Sequence, residues 1–335
     1  MLLACGIYLK RKEQFEMVGK VTPDDMISAS LIPVLLGQSP YQTPNDLLRT
    51  FIDRDEGVEP EPWAGNEATH WGNVLEPVIL QQAAERLDLS NVLIDYDRAI
   101  FHPTINLAAS LDGSGEGAGK IKTDVSRGIY CIGADVIDIS GPGVLESKAT
   151  RARPEDVPPP QRGPLQLQAQ MMCTGWTWGC VATLYQGLEL RLFVYQSDDI
   201  VQRRISEAID DFEMRRKNHD WYPPLTSEDA NTAWSRANED APPLDLDGTN
   251  VIGAVADLIA AKYDLADAKD RIDDAELAIK EVMANHDVAT ATIGDVKYQI
   301  GWGMINRKAQ PEKIVPAKPA ESVRKKTLSL KEMKG

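Results

Sequence analysis

Between residues 28 and 90 the apolar positions recur at helical spacing. The segment from Ser28 reads as a helix closed by Gly37, and a second helix starts at Thr43-Pro44, a cap followed by a residue preset for the first turn. In "GNVLEPVILQQAAERLDL" Leu75, Ile79, Ala83 and Leu87 return every four residues, which predicts a third helix. The pattern then becomes β-rich: "RAIFHPTINLAASLDG", "GIYCIGADVIDI" and "GVLESKAT" are runs bounded by glycine, serine and aspartate. Five of the eleven residues from Pro154 to Pro164 are proline, which predicts a constrained loop rather than an element.

A helix follows at "LQLQAQMMCTGWTWG", then a β-pair turned at Gln186-Gly187. The next helix, "DDIVQRRISEAIDDFEMRRKNH", places acids at its start and bases at its end, in agreement with the helix dipole. Asp220 to Asp247 carries seven acids, one arginine and four prolines, and reads as a linker. Beyond it a long helix spans roughly Val251 to Asn285. Val251, Leu258, Leu265, Ile272 and Ile279 repeat every seven residues, with Ala254, Ala261, Ala268, Ala275 and Val282 three after each. A hairpin about Gly294-Asp295 closes the pattern. The order describes an α/β (α+β) fold, a mixed sheet flanked by helices. The expected division is a core over 1–222, an acidic linker over 223–249, and a helix, hairpin and tail over 250–335.

Composition narrows the class. No run of 18 apolar residues exists in the 335, and the N-terminal apolar patch has its basic residues on the wrong side for a secretory signal, so no membrane association is expected. Four cysteines without CxxC spacing and only four histidines argue against zinc and for a reduced, cytoplasmic setting. The net charge of −15 is unevenly spread: residues 307–335 carry +6, leaving −21 elsewhere. An acidic body can still handle DNA if metal ions and a local basic lining neutralise phosphates.

Candidate chemistry centres on "GVLESKAT". On a strand, Glu146 and Lys148 point to the same side. A surface ion pair would satisfy that pattern. Asp112, at the end of "NLAASLDG", alters the reading if its strand lies beside that of Glu146. Paired carboxylates repel unless a cation sits between them, and hard oxygen ligands suit Mg²⁺ or Mn²⁺. A neighbouring lysine can then orient water or stabilise phosphoryl charge. Glu76 is an odd charge between Leu75 and Pro77 on the third helix. Gln166, Gln168 and Gln170 alternate on the fourth, with Gln166 and Gln170 on one face. A polar helix face explains the glutamines as simply as amides that hold water or phosphate. Trp176, Trp178, Met171 and Met172 read as packing, and His70 and His102 as structural.

The ordered set "SASLIPVLLGQSPYQTPNDL", "GNVLEP", "SLDG", "LESKAT" and "QLQAQMMCTG" resembles the YqaJ-type phage recombinase nucleases, relatives of lambda exonuclease in the PD-(D/E)XK superfamily. It runs from about Ser28 to Asn218. The resemblance implies a restriction-endonuclease-like core and a Mg²⁺- or Mn²⁺-dependent exonuclease that resects duplex DNA 5′ to 3′. It also implies an annealing-protein partner, a ring-type homo-oligomer, and a phage or prophage gene expressed in a bacterial host. It makes Asp112 and Glu146 the metal carboxylates, the Ser147 carbonyl a further ligand and Glu76 a helix-borne acid near the metals. Lys148 becomes the catalytic lysine, Gln166 the water-orienting amide, and Ser30 a contact to the terminal phosphate; Gln168, among the alternating glutamines, is a further candidate DNA contact. Two departures stand out. Asp24 and Asp25 occupy the region where relatives carry a phosphate-gripping arginine, and Gly163 replaces a tyrosine. Both leave room for an endonuclease; the further alternative is a non-catalytic DNA-binding accessory protein, against which the intact Asp112, Glu146 and Lys148 argue.

Overall fold

The computed structural model describes residues 22–58, 65–94, 96–235 and 241–304. The chain forms two units, Met1–Trp234 and Ser235–Gly335.

The first unit opens with β1 (Ile27–Ser28), a 3₁₀ turn (Ala29–Leu31) and the short α1 (Ile32–Leu35). Next come α2 (Pro44–Asp55) and α3 (Glu67–Arg86). Thr43 and Asp46 exchange side-chain and backbone hydrogen bonds in a complete capping box, which fixes the start of α2 where the Thr-Pro signal put it. Strands β2 (Ser90–Ile94), β3 (Ile100–Phe101), β4 (Leu107–Ala109), β5 (Gly113–Gly117), β6 (Lys120–Lys122), β7 (Ile129–Cys131), β8 (Val136–Asp138) and β9 (Gly141–Thr150) lead to α4 (Pro164–Thr174). Strands β10 (Trp178–Tyr185) and β11 (Glu189–Gln196) precede α5 (Asp199–Asn218) and α6 (Ser227–Ala233). Gln186 and Gly187, with φ of 53° and 72°, make the two-residue turn between β10 and β11.

The main sheet has the order β2-β5-β9-β10-β11-β7. It is mixed: β9 runs parallel to β10 and antiparallel to β5. Side-chain alternation splits the core into two layers. Val144, Val181 and Phe193 pack with residues of α1, α2, α4 and α5. Leu145, Cys180, Ala182 and Leu192 pack with Ile79, Leu80, Ala83 and Ala84 of α3. This is the mixed α/β architecture expected.

Between Asp112 and Glu146, β6 and β8 pair with each other, and β7 crosses to the far edge beside β11. One expectation needs correction: no linker begins at residue 223. Asp229 is 2% exposed and accepts hydrogen bonds from Thr43 Oγ1 and the Leu225 N–H, each at 2.7 Å. Arg49 donates to the Thr232 carbonyl at 3.1 Å, and Thr232 Oγ1 to Asp46 at 3.0 Å. These contacts fasten α6 to α2, so the first unit continues to Trp234.

The second unit holds α7 (Ile252–Met283) and a hairpin of β12 (Val288–Ile293) and β13 (Val296–Gly301), with Gly294 at φ 60° in its turn. Met283 is 4% exposed at the end of α7, and the Lys280 ammonium lies 6.0 Å from the Trp302 ring centroid. The basic tail lies outside the described residues. Among the described residues no helix is long and apolar enough to cross a membrane.

Candidate active site

Two adjacent strands, β5 and β9, and one helix, α4, converge on Glu146. In the β5–β9 ladder Gly113 pairs with Leu145, so Asp112 enters β5 opposite Glu146. The Ser147 N–H donates to Asp112 Oδ2 at 2.8 Å, which ties the aspartate to the strand. The Glu146 side chain is 1% exposed and Lys148, two residues on, 29%. Lys148 Nζ donates to Glu146 Oε1 and, at 3.2 Å, to Gln166 Oε1. On the other Glu146 oxygen, Gln170 Nε2 donates at 2.6 Å. The elements explain the placement. Glu146 shares the β9 face of Val144, the face covered by α4, and Gln166 and Gln170 lie one turn apart on that helix.

The electrostatics are those of crowded acids. Burial, followed by Glu146 and Glu76, holds the Asp112 carboxyl well above its ordinary range, against the opposite pull of Lys148 and the Ser147 N–H. Burial disfavours the Lys148 ammonium, yet Glu146, Asp112 and Glu76 outweigh it and hold its pKa above the usual lysine value. Glu76 on α3 thus acts on both groups through its field.

A divalent cation fits this donor set. Among the described residues no three His, Cys, Asp or Glu side chains form a ready-made metal cluster. Asp112, Glu146 and the Ser147 carbonyl offer hard oxygens in an incomplete set, which suits an ion that keeps waters and takes phosphate oxygens. Burial first, and then the neighbouring acids, raises the Asp112 carboxyl, and a bound cation would oppose both. Gln170 Oε1 is buried there without a donor, an acceptor that bound water would satisfy.

Gln168 does not join the site. Its Nε2 donates to the Gln196 carbonyl at 2.9 Å and its Oε1 accepts from the Asp198 N–H at 3.0 Å, which fastens α4 to the start of α5. Residues two apart on a helix face different ways, so the expected DNA contact at Gln168 is withdrawn. Gln170, beside Glu146, is the residue that the assignment missed, although its four-residue spacing from Gln166 was the signal. Gln168→Ala is expected to lower stability by about 1–3 kcal/mol with DNA affinity unchanged, read by denaturant titration and a binding assay. Gln170→Ala should instead cut turnover by about 10- to 100-fold, the usual cost of losing a group that orients a ligand.

Ser30 is exposed on the 3₁₀ turn packed against α4, and its hydroxyl lies 3.0 Å from that of Ser28. In the segment before it, the Asp24 carbonyl accepts from Arg54 at 3.0 Å and that of Asp25 from Arg216 at 3.1 Å. Gly163 caps α4 at φ +110°, and a Cβ there would come within 2.7 Å of Val181 Cγ1. A tyrosine cannot replace it without moving the backbone. Trp178 is buried and donates to the Gly141 carbonyl at 3.1 Å, a packing role. His102 Nδ1 lies 3.3 Å from the N–H groups of Thr104 and Ile105 in a turn.

Comparison with solved structures finds the alkaline exonuclease of Laribacter hongkongensis, 18% identical, with a TM-score of 0.42, covering 58% of this chain and 90% of that one. A phage-related exonuclease from Haemophilus somnus is 11% identical at a TM-score of 0.40, covering 58% and 94%. No curated protein sequence matches. The family described as the YqaJ-like viral recombinase domain matches residues 11–177, a stretch that contains Glu76, Asp112, Glu146, Lys148 and Gln166. The chain therefore carries, over residues 11–177, a YqaJ-like viral recombinase domain.

Proposed function

We propose that the protein is a Mg²⁺- or Mn²⁺-dependent deoxyribonuclease that resects one strand of duplex DNA from an end, 5′ to 3′, and leaves a single strand for an annealing partner. One observation carries this reading: Asp112 faces Glu146 across adjacent strands, and Glu146 is buried against Lys148 and Gln170 within the recombinase domain.

Asp112, Glu146, the Ser147 carbonyl and Glu76 would hold the cation. When bound, it would neutralise phosphate charge and lower the pKa of a coordinated water. Lys148 Nζ keeps its proton and donates to whatever negative oxygen approaches Glu146. Gln166 Oε1 holds that ammonium in place and leaves its amide N–H groups to orient water. Gln170 fixes the Glu146 carboxylate, so the acid does not have to reorganise as charge develops. Ser30 is assigned to the DNA end.

A phosphate grip is also needed in an acidic protein. Among the described residues Arg151 and Arg153 are exposed and lack a carboxylate within ion-pair distance. They begin the loop from β9 to α4, between the strand of Lys148 and the helix of Gln166. Arg151→Glu with Arg153→Glu should weaken duplex binding at least about tenfold and flatten the salt dependence by about two phosphate contacts. Titrations at several salt concentrations read both effects.

The mode of attack is tested with linear duplexes labelled at the 5′ or 3′ end and with covalently closed circles, each with Mg²⁺, Mn²⁺ or EDTA. The proposal expects early release of the 5′ label, intact circles and no reaction in EDTA. Cut circles would establish an endonuclease, the reading that Asp24 and Asp25 near Ser30 favour. Inertness towards every substrate would leave a DNA-binding accessory protein.

A further inference from the structure

Helix α7 is 32 residues long, and among them only Met283 is buried. Such a helix gains most of its stability from covering an apolar face. Here that face is open: Leu265 is 71% exposed, Ile272 57% and Val282 85%. Taking Val251, Leu258, Leu265, Ile272 and Ile279 as heptad position a, and Ala254, Ala261, Ala268, Ala275 and Val282 as d, gives one seam along the helix. Ile252, Ile259, Tyr263 and Leu277 are exposed outside it.

The flanking charges identify what covers the seam. Position g holds Asp257, Asp264 and Arg271, and position e holds Lys262, Lys269 and Glu276. In a parallel in-register pair each g residue meets the e residue five further along on the other helix. Asp257 then faces Lys262 of the second copy, Asp264 faces Lys269, and Arg271 faces Glu276. Three pairs of opposite sign become six by symmetry, with none of like sign. The fully overlapped antiparallel arrangement instead sets Lys262 beside Lys269 of the second copy, twice, and Asp264 beside Arg271, twice, so its like and opposite pairs cancel. Within one helix Arg271 and Glu276 already have neighbours, Asp267 at 3.0 Å and Lys280, and Lys262 has a partner too. These exposed pairs are weak enough to be shared. Alanine at d makes the seam narrow, which suits the close approach of one second helix.

We propose that α7 is a homodimerisation element, whose apolar seam docks on α7 of a second copy of this chain as a parallel, in-register two-stranded coiled coil. The inference stands apart from the nuclease reading, because it uses no residue of the candidate site.

The test uses the full chain. One variant carries Lys262→Glu and Lys269→Glu, the other Asp257→Lys and Asp264→Lys. Each alone places like charges at four of the six contacts and should raise the dimer dissociation constant at least about tenfold. Mixed together they restore every pair and should form a heterodimer, seen by light scattering and by co-purification of differently tagged chains. That rescue separates a lost contact from a misfolded helix. Ala261→Cys should cross-link to its own counterpart under mild oxidation, because d residues of equal number face each other only in the parallel register. The proposal is overturned if the wild-type chain is monomeric at about 10 µM. It is equally overturned if either charge variant alone dimerises as tightly as wild type, or if Ala261→Cys fails to cross-link in a dimer.

Discussion

Glu146→Gln is expected to lower cleavage of linear duplex DNA by about a thousandfold, at the upper end of what one preorganised electrostatic group contributes, while the protein stays folded. The side chain is buried, and both of its oxygens are engaged, one by Lys148 and one by Gln170. Glutamine keeps the volume and can still accept from Lys148. It removes the negative charge that holds the ammonium and, on the proposed reading, a metal ligand. Asp112 in turn loses the neighbour that, after burial, does most to raise its carboxyl. Substrate binding should change far less than turnover, since the affected interactions develop at the reacting phosphate. Single-turnover kinetics beside a binding titration separates the two. A fall in affinity equal to the fall in rate would assign Glu146 to ground-state binding.

Asp112→Asn should make the metal-free protein more stable and remove its response to divalent ions. The sign follows from the raised carboxyl. A carboxyl whose pKa is higher in the folded than in the unfolded chain binds more protons when folded. As pH rises from the ordinary aspartate value of 3.8 to the raised folded value, the unfolded chain ionises first and stability is lost. Above that window the full penalty remains. Asparagine can still accept from the Ser147 N–H and carries no charge, so the gap in melting temperature between variant and wild type should open with increasing pH. Saturating Mg²⁺ or Mn²⁺ should offset the penalty in the wild type. At a hundred times its dissociation constant a ligand adds about 2.7 kcal/mol, which for a unit of this size is about 5–10 °C. Thermal melts of both proteins, with and without Mn²⁺, at several pH values check each part. A variant that melts lower than wild type without metal at neutral pH would contradict the account of Asp112.

Where local rules act, the sequence is readable. The Thr43-Pro44 cap, the Gln186-Gly187 turn and the heptads of α7 each follow from contacts within a few residues. The adjacency of β5 and β9 could be anticipated because alternation put Glu146 and Lys148 on one face and Asp112 ended the preceding run. What escaped depends on distant partners. Nothing in "GIYCIG" announces that β7 completes the far edge of the sheet beside β11, since strand pairing is set by the whole fold. The acids after residue 223 look like a solvated linker, yet Asp229 is buried because Thr43 and the Leu225 N–H supply it with donors. Gln168 shows the opposite error. Its alternation with Gln166 and Gln170 suggested a shared role, whereas a helix turns it away towards Gln196 and Asp198.

The role of the Asp112, Glu146 and Lys148 cluster is tested most directly by incubating linear duplex DNA with wild-type protein, Glu146→Ala and Lys148→Ala, each in Mg²⁺ and in EDTA. The account predicts cleavage by the wild type in Mg²⁺ alone and none above background from either variant, with both variants folded by circular dichroism. Cleavage that survives in either variant, or in EDTA, would contradict it.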